Sequence, residues 1–277
     1  MINDDFVKNI NSKPFLKWAG GKHKLVETLS NSLASGDRLV EPFVGSGAVF
    51  MGTSYKKYLL CDTNKDLIGL FNNLKLHTDK LIIEAEKLFS GRYKTEEEFY
   101  IMRDKFNRLE AEDIKKSAMF IYLNRHAFNG LCRYNSKGFF NVPFGKYKNP
   151  ILPINEMLLF AKKAHIAEFK CLDFVETFKL VREGDVVYCD PPYVPLSITS
   201  SFTAYAKGDF KLEDQLNLAM EANKAKSNGV RVVISNHDLD ITRDIYKNAH
   251  ISSINVRRSI SSKASTRGNV KELIAIF

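Results

Sequence analysis

Short apolar runs near both ends of the chain place the tightest limit on its fold. Arg38–Val44 and Lys57–Cys61 are such runs, and their length and composition predict buried strands. The signal returns late in the chain, at Phe169–Leu172, Asp185–Cys189, Val230–Ser235, His250–Arg257 and Lys271–Phe277. Because predicted helices alternate with these strands, the sequence indicates an α/β sheet.

The middle of the chain has helical periodicity instead. Residues from Asp66 to about Arg125 are predicted to form successive helices, one of them opened by a capping box of Thr95 and Glu98. Asn129–Pro150 is rich in glycine, asparagine and aromatics, which predicts a loop or a hairpin. We therefore expect a discontinuous sheet domain (1–65 and 166–277) and an inserted, mainly helical domain (66–165) that carries partner specificity.

Asp190-Pro191-Pro192-Tyr193 follows a predicted strand and is the most specific signal in the sequence. The two prolines force a rigid, extended turn that lacks two N–H donors, so its carbonyls stay available as acceptors. The aspartate adds an acceptor, and the tyrosine adds a flat face for stacking. The turn suits an exocyclic amino group on a planar ring, and a packed structural turn is the competing interpretation.

A glycine-rich turn at Glu41–Val49 (EPFVGSGAV) lies between a predicted strand and a predicted helix. Glycines at such a turn let the backbone approach a ligand at the carboxyl edge of a sheet. No GK[ST] follows, so the turn is not a P-loop. Asp62 ends the next predicted strand, where an acid suits a ribose hydroxyl and a helix cap is the alternative role.

Phe15–Lys22 (FLKWAGGK) precedes the first predicted strand. A tryptophan and two lysines around a glycine pair suit a carboxylate and a stacked ring. Taken alone, the block favours a packed Trp18 and solvated lysines.

The charge of the chain indicates a polyanionic partner, although a basic protein of no special binding function has the same composition. The formal net charge is +9, and two stretches, Ser136–Asn149 and Val256–Val270, contain basic residues and no acid. No uncharged apolar run approaches the ~18–20 residues of a membrane span. The four cysteines form no CxxC pair and the six histidines have no metal-binding spacing, so no metal is expected.

Together these blocks resemble the Dam-type DNA adenine-N6 methyltransferases, members of the alpha group of amino-methyltransferases. The order is similar to that group's: the FLKWAGGK block, the glycine motif, a helical insertion and then the Asp-Pro-Pro-Tyr turn. The resemblance runs from about Phe15 to Phe277, and Phe128 stands where the family has a tyrosine. Further matching blocks are Tyr122–Arg125 (YLNR), Asn129–Asn135 (NGLCRYN), Asn141–Gly145 (NVPFG) and Arg257–Ser262 (RRSISS).

The resemblance implies a fold, a cofactor and a reaction. The fold would be a Rossmann-like methyltransferase sheet with helices on both faces, and the helical insertion with its hairpin would recognise DNA. S-adenosyl-L-methionine would donate a methyl group to N6 of an adenine flipped out of double-stranded DNA, with GATC as the site. The protein would be a monomer in the cytoplasm, associated with the nucleoid.

The resemblance also implies roles for individual residues. The catalytic set is Asp190, Pro191, Pro192 and Tyr193. The S-adenosylmethionine set is Trp18, Lys22, Phe43, Gly45, Gly47, Asp62 and Asp190. The DNA-binding set is Lys17, Arg125, Phe128, Asn129, Leu131, Arg133, Pro143, Tyr147, Arg257, Arg258 and Arg267. Arg133 and Lys17 suit guanine, and Leu131 suits a thymine methyl group, as does Pro143.

Three alternatives stay open on the sequence alone. A cytosine-N4 methyltransferase also places an amino group before an acidic-Pro-Pro turn. A methyltransferase of protein side-chain amides and a catalytically silent DNA-binding protein are the others. Cytosine-C5 methylation is not among them, because it needs a nucleophilic cysteine, usually after a proline, and no cysteine of this chain follows one.

Overall fold

A seven-stranded sheet organises the part of the chain that the computed structural model describes, namely residues 13–195, 210–257 and 269–277. The strand order is β3-β2-β1-β4-β5-β7-β6. The strands are β1 Arg38–Glu41, β2 Lys57–Asp62, β3 Ala167–Cys171, β4 Asp185–Cys189, β5 Arg231–His237, β6 His250–Arg257 and β7 Asn269–Ile276. This architecture confirms the predicted α/β class.

The direction of the strands determines where a ligand can bind. β1 pairs in parallel with β2 on one side and with β4 on the other, and β4 pairs in parallel with β5. β7 is antiparallel to both β5 and β6. The chain order therefore reverses between β1 and β4, and open α/β sheets bind ligands outside the carboxyl ends of the strands at such a point.

Ten helices lie within the described residues. They are α1 Val26–Ser32, α2 Ala48–Gly52, α3 Lys65–Leu76, α4 Thr78–Leu88, α5 Glu96–Phe106, α6 Ile114–His126, α7 Ile154–Ala164, α8 Phe174–Phe178, α9 Leu212–Ser227 and α10 Asp240–Ile245. The Thr95 hydroxyl accepts the Glu98 N–H at 3.3 Å and so caps α5, as the capping box predicted. In the described part of the chain, no helix has the length and apolar character needed to span a membrane.

The chain divides into two compact units, a helical unit and a sheet unit. The helical unit comprises the described residues of Met1–Glu27, Gly45–Ser54 and Asn64–Phe169. The sheet unit comprises the described residues of Thr28–Val44, Tyr55–Thr63 and Lys170–Phe277. The helical unit thus contains the predicted insertion together with the FLKWAGGK block and part of the glycine motif, while the domain boundaries at residues 66 and 165 stay a prediction.

The core of the sheet unit forms where adjacent parallel strands meet two helices. Val40, Val187 and Val232 come from β1, β4 and β5 and are fully buried. Leu218 of α9 and Phe174 of α8 belong to the same cluster. A run of small and apolar residues along α9 lets that helix lie against the sheet, and this packing holds the carboxyl ends of the strands in a constant position.

An aromatic cluster holds the helical unit together. Phe160 of α7 lies at its centre, with ring centroids 4.7 Å from Phe71, 5.2 Å from Phe15 and 5.3 Å from Phe50. All four rings are almost completely buried, and the edge-to-face pairs that Phe160 makes with Phe15 and Phe50 add to the burial energy. The cluster fastens the FLKWAGGK block and α2 to the helices of the insertion.

Candidate active site and DNA-binding loop

The Asp-Pro-Pro-Tyr turn begins where β4 ends, at the carboxyl edge of the sheet. Every residue of β4 is buried, whereas Asp190 and Tyr193 are half-buried. The continuous buried run of β4 therefore stops at the aspartate, and the polar groups of the turn come to the edge of the sheet. The turn is rigid because of its two prolines and because its side chains are bonded to β5 and β7.

Asp190 is tied to the neighbouring strand by a serine. The Ser235 hydroxyl donates to Oδ1 of Asp190 at 3.0 Å, and the Tyr188 hydroxyl lies 2.9 Å from Ser235 Oγ. Burial raises the pKa of the Tyr188 hydroxyl well above its usual range, and the negative charge of Asp190 raises that pKa further. Tyr188 is therefore protonated and can donate to Ser235.

Two carbonyls that follow the aspartate are already used as acceptors. The side-chain amide of Gln215 donates to the Pro192 carbonyl at 2.8 Å, and the His237 ring lies 2.5 Å from the Val194 carbonyl. The Pro191 carbonyl accepts no hydrogen bond from the described residues. Of these three carbonyls, that of Pro191, next to Asp190, is thus the one for which the described residues leave both lone pairs available to a ligand's N–H.

Tyr193 is held at both its hydroxyl and its ring. Its hydroxyl donates to Oε2 of Glu272 at 3.0 Å, and its ring meets the His237 ring edge-on with centroids 4.8 Å apart. Burial, reinforced by the nearby Asp190, raises the pKa of Tyr193 well above its usual range. The tyrosine is accordingly a neutral, fixed aromatic surface.

Phe43 and Asp62 come to the same edge from β1 and β2. The Val44 N–H donates to the Cys61 carbonyl at 2.8 Å, which holds the glycine motif beside the end of β2. The Phe43 ring stacks on Phe174 with centroids 5.8 Å apart. Asp62 is half-buried, and the helix-cap alternative for it is wrong, because the side chain of Asn64 caps α3.

In the helical unit, Trp18 lies against the glycine motif. Gly45 has φ +48° and Gly47 has φ +72°, a backbone region that disfavours side chains. A Cβ on Gly45 would lie 2.9 Å from Nε1 of Trp18, so the indole requires glycine there. Lys22 is buried, and its ammonium donates to the Gly20 carbonyl at 2.8 Å. The FLKWAGGK block is thus a tight turn whose indole backs the glycines.

Residues 127–147 form a loop that contains most of the predicted DNA-binding residues of the helical unit, and we call it the recognition loop. Isolated antiparallel bridges join Ala127 to Phe144 and Tyr134 to Phe140, so the predicted loop or hairpin has short paired parts. Phe128, Arg133 and Pro143 are exposed, and about half of the Phe128 side-chain surface is open to solvent. A large exposed aromatic ring on a loop held by main-chain bonds is typical of a binding surface.

Lys17 is held against this loop by a buried asparagine. The Asn124 side chain bonds to both the N–H and the carbonyl of Lys17, at 2.9 and 2.8 Å, and to the Gly130 carbonyl at 3.2 Å. The Lys17 ammonium lies 4.1 Å from the centre of the Tyr147 ring. Burial lowers the pKa of Lys17, and the positive charge of Arg125 lowers that pKa further. Three predicted DNA-binding residues, Lys17, Arg125 and Tyr147, are thus neighbours.

Arg133 is oriented by a partner across the loop. Its Nε donates to Oδ1 of Asn141 at 2.9 Å, and the Asn141 N–H donates back to the Arg133 carbonyl at 3.1 Å. Leu131 is half-buried, and Asn129 adopts a left-handed φ of 54°. The loop therefore presents an arginine fork on an ordered support.

Four arginines of the predicted DNA-binding set lie outside the recognition loop. Arg125 is half-buried and its Nε donates to the Ile151 carbonyl at 3.0 Å, so this arginine also supports the chain after the recognition loop. Arg257 ends β6, and its side chain lies outside the described part of the protein. Arg258 and Arg267 lie outside the described residues.

Several residues that support the turn had no predicted role. Ser235, Gln215 and Glu272 contact Asp190, Pro192 and Tyr193 from β5, α9 and β7. The available signal was the block Ser235–Asp238, which ends a predicted strand at the same edge as β4.

Comparison with known proteins identifies close relatives. The model of the D12 class N6 adenine-specific DNA methyltransferase family matches residues 18–260. A DNA adenine methylase of Serratia marcescens is 46% identical over 267 residues, which cover 96% of this chain and 98% of that protein. DNA adenine methylases of Escherichia coli strain K12 and Vibrio cholerae serotype O1 are 45% and 46% identical, over 96% of this chain and 95% and 96% of those proteins.

Proposed function

The chain belongs to the D12-class N6 adenine-specific DNA methyltransferases, and on that premise we propose that its Asp190–Tyr193 turn holds the amino group of adenine in GATC for methylation. The family names N6 of adenine as the position that is modified, so cytosine-N4 methylation is not favoured. The GATC site is proposed because this chain is 45–46% identical to proteins named DNA adenine methylase, and because it carries the NGLCRYN and NVPFG blocks.

The observation that carries this assignment is the pair of acceptors at the end of β4. Asp190 and the Pro191 carbonyl are adjacent, and Pro191 and Pro192 have no N–H to compete for them. Two acceptors side by side suit the two N–H groups of one amino nitrogen. Tyr193, held by Glu272 and His237, offers the flat surface on which an adenine ring stacks.

The chain's task in this reaction is to position the base. Removing the adenine from the duplex costs a few kcal/mol, and an inserted aromatic ring offsets part of that cost. The exposed ring of Phe128 suits this role. Hydrogen bonds from N6 to Asp190 and the Pro191 carbonyl draw the nitrogen lone pair out of the ring. Correct alignment contributes on the order of 7–11 kcal/mol to such a transfer.

We propose S-adenosyl-L-methionine as the methyl donor. When bound, it supplies a methyl group on a sulfonium, which is already activated for transfer. In the helical unit, the fit rests on the left-handed Gly45 beside Trp18 and on the ammonium of Lys22, which suits a carboxylate. In the sheet unit, the fit rests on Asp62 at the end of β2, which suits a ribose hydroxyl. It also rests on Asp190, whose carboxylate would lie near both the cofactor and the adenine amino group.

Calorimetry on two variants tests the cofactor assignment. Lys22→Ala and Asp62→Ala each remove one charge-assisted contact, so S-adenosylmethionine should bind roughly 10- to 150-fold more weakly. The choice of DNA site should not change. An affinity equal to that of the unaltered protein would remove the residue concerned from the cofactor set.

The DNA-binding assignments are proposed for the recognition loop and the segments beside it. Arg133 and Lys17 would read guanine, and Leu131 and Pro143 would contact a thymine methyl group. Asn129, Tyr147 and Arg125 would complete the surface of the helical unit, and Arg257, Arg258 and Arg267 would bind phosphates. We further propose that the inserted segment 66–165 is the recognition domain, and that the protein acts as a monomer in the cytoplasm at the nucleoid.

The decisive experiment is expression in a host that lacks adenine methylation, followed by base-resolution mapping of genomic DNA. Methyl groups on N6 of adenine in GATC are the expected result. Asp190→Ala should abolish them because an acceptor is lost, and Asp190→Asn should be severely impaired because its amide can turn a donor toward the amine. Methylation of another sequence would refute the GATC assignment, and near-normal methylation by both variants would refute the role of Asp190.

A further inference from the structure

We propose that Ser235 is a positioning residue for methyl transfer, which orients the Asp190 carboxylate toward the adenine amino group. The inference rests on the proposed role of Asp190. Ser235 is on β5 and is only 2% exposed, so it acts through Asp190 and does not itself reach the base.

The direction of the hydrogen bonds supports this role. A serine hydroxyl has one hydrogen, and Ser235 gives it to Oδ1 of Asp190 at 3.0 Å. The Tyr188 hydroxyl, 2.9 Å away and protonated, must then donate to Ser235. The three side chains form a chain of donors that points from the core to the carboxylate, and each donor strengthens the next.

The position of Ser235 in the sheet makes it a rigid support. β4 and β5 are paired in register up to Cys189 and Ile234, which directly precede Asp190 and Ser235. Ser235 is in turn opposite Ile274 of β7. A carboxylate at the end of a strand can rotate about two bonds, and a hydrogen bond from a fixed neighbouring strand restricts that rotation.

Ser235 also lies beside the other end of the turn. The proximity of the Ser235 hydroxyl opposes the rise in the pKa of Tyr193, so the serine lies beside both the acceptor and the stacking residue. A misplacement on the order of 1 Å in such a site costs about 10²-fold in rate. We therefore expect the loss of the hydroxyl to slow the transfer step by about 10- to 100-fold.

A purely structural role would have a different signature. Ser235→Ala leaves the buried Tyr188 hydroxyl without its acceptor, which by itself destabilises the fold. The double variant Tyr188→Phe/Ser235→Ala removes both hydroxyls and avoids this cost. If the serine matters only for folding, the double variant should regain the rate. If it orients Asp190, the double variant should stay slow.

The test is single-turnover methylation of a GATC duplex, with separate measurement of the dissociation constants for DNA and S-adenosylmethionine. Ser235→Ala and the double variant should lose about 10- to 100-fold in rate, with both dissociation constants within about threefold. Ser252→Ala makes the same change at a half-buried position of β6, and this variant should behave as the unaltered enzyme. Asp190→Ala is measured in parallel.

The outcomes separate the two proposals. Rates near those of the unaltered enzyme in the double variant, with an inactive Asp190→Ala, would overturn the role of Ser235 alone. A loss confined to the dissociation constants would overturn it as well. An active Asp190→Ala would instead remove the proposed function of Asp190, and with it the basis of this inference.

Discussion

The side chain of Arg133 is expected to set the preference of the enzyme for its DNA site. A guanidinium has five N–H groups in a planar fork. In the recognition loop, Nε donates to Oδ1 of Asn141 at 2.9 Å, and one terminal nitrogen lies 3.4 Å from the Asn141 carbonyl. Those two contacts use two N–H groups, so three are left, and a bidentate bond to O6 and N7 of guanine needs two.

The magnitude follows from that geometry. A bidentate contact discriminates against a wrong base by about 1–3 kcal/mol, which is roughly 5- to 150-fold at 25 °C. Arg133→Ala should reduce the ratio of rates on GATC and on a duplex altered at the guanine by that factor. Arg133→Lys should recover little of it, because an ammonium keeps the charge and lacks the fork.

Single-turnover methylation of GATC and singly altered duplexes at two salt concentrations measures this effect. Lys137→Ala is the matched control, since it removes an exposed positive charge from the same loop. That change should weaken all duplexes alike and lower the salt slope by at most about one unit. If Arg133→Ala slows every duplex by one common factor, Arg133 binds phosphate, and the discrimination must come from Lys17 or another part of the loop.

Three further predictions concern the helical unit. Lys116→Met should lower the free energy of unfolding by about 3–5 kcal/mol in urea titrations, because it removes the countercharge of Asp66, whose Oδ1 lies 2.9 Å from the Lys116 ammonium with both side chains buried. Asp66 Oδ1 has the charge of Lys116 beside it but accepts no hydrogen bond of good geometry. The double variant Asp66→Asn/Lys116→Met removes both charges and should therefore recover most of the lost stability. No recovery would refute the argument. Burial lowers the pKa of His126 from 6.5 to about 4. Between those two pH values the folded state binds fewer protons than the unfolded state. The free energy of unfolding should therefore fall by about 2 kcal/mol from pH 7.5 to pH 5. His126→Gln should flatten this pH dependence, and an unchanged slope would contradict it. Gly130→Ala and Gly138→Ala both place a side chain at positive φ, and that backbone strain alone should cost each about 1–2 kcal/mol of stability. Only Gly130→Ala should also weaken DNA binding, because its Cβ would lie 2.5 Å from Cβ of Lys17 and would displace that side chain. A Cβ on Gly138 meets no atom within 4 Å, so Gly138→Ala is the control. Equal DNA binding by the two variants would contradict the proposed role of Lys17.

The sequence predicts those features that depend on neighbours along the chain. β4 and β6 have the predicted ends, because their apolar runs stop at an aspartate or an arginine. The α/β class and the adenine-methylating activity are confirmed, and the turn at Asp190 stands at a strand end as its prolines require. The helix α7 was not predicted, although its buried residues Met157, Phe160 and Ala164 have helical spacing.

The supports of the turn could not be predicted in the same way. Ser235 and Glu272 reach Asp190 and Tyr193 through the pairing of β4 with β5 and of β5 with β7. Gln215 reaches Pro192 because α9 packs on the sheet. These contacts join residues far apart in the chain. A shift of one residue in the register of β5 or β7 would turn Ser235 or Glu272 to the opposite face of the sheet.

The Asp190–Pro191 acceptor pair also bears on how many methyl groups one adenine receives. An unmodified amino group has two hydrogens and can satisfy both acceptors, whereas a singly methylated one has a single hydrogen left. If N6 binds as proposed, the product leaves one acceptor unpaired, which costs about 1–3 kcal/mol where no water replaces the lost hydrogen. A base with a keto oxygen at that position has no hydrogen for either acceptor. On the proposed binding mode, a turn without N–H groups at 191 and 192 would select for amino bases and favour release of the base after one transfer.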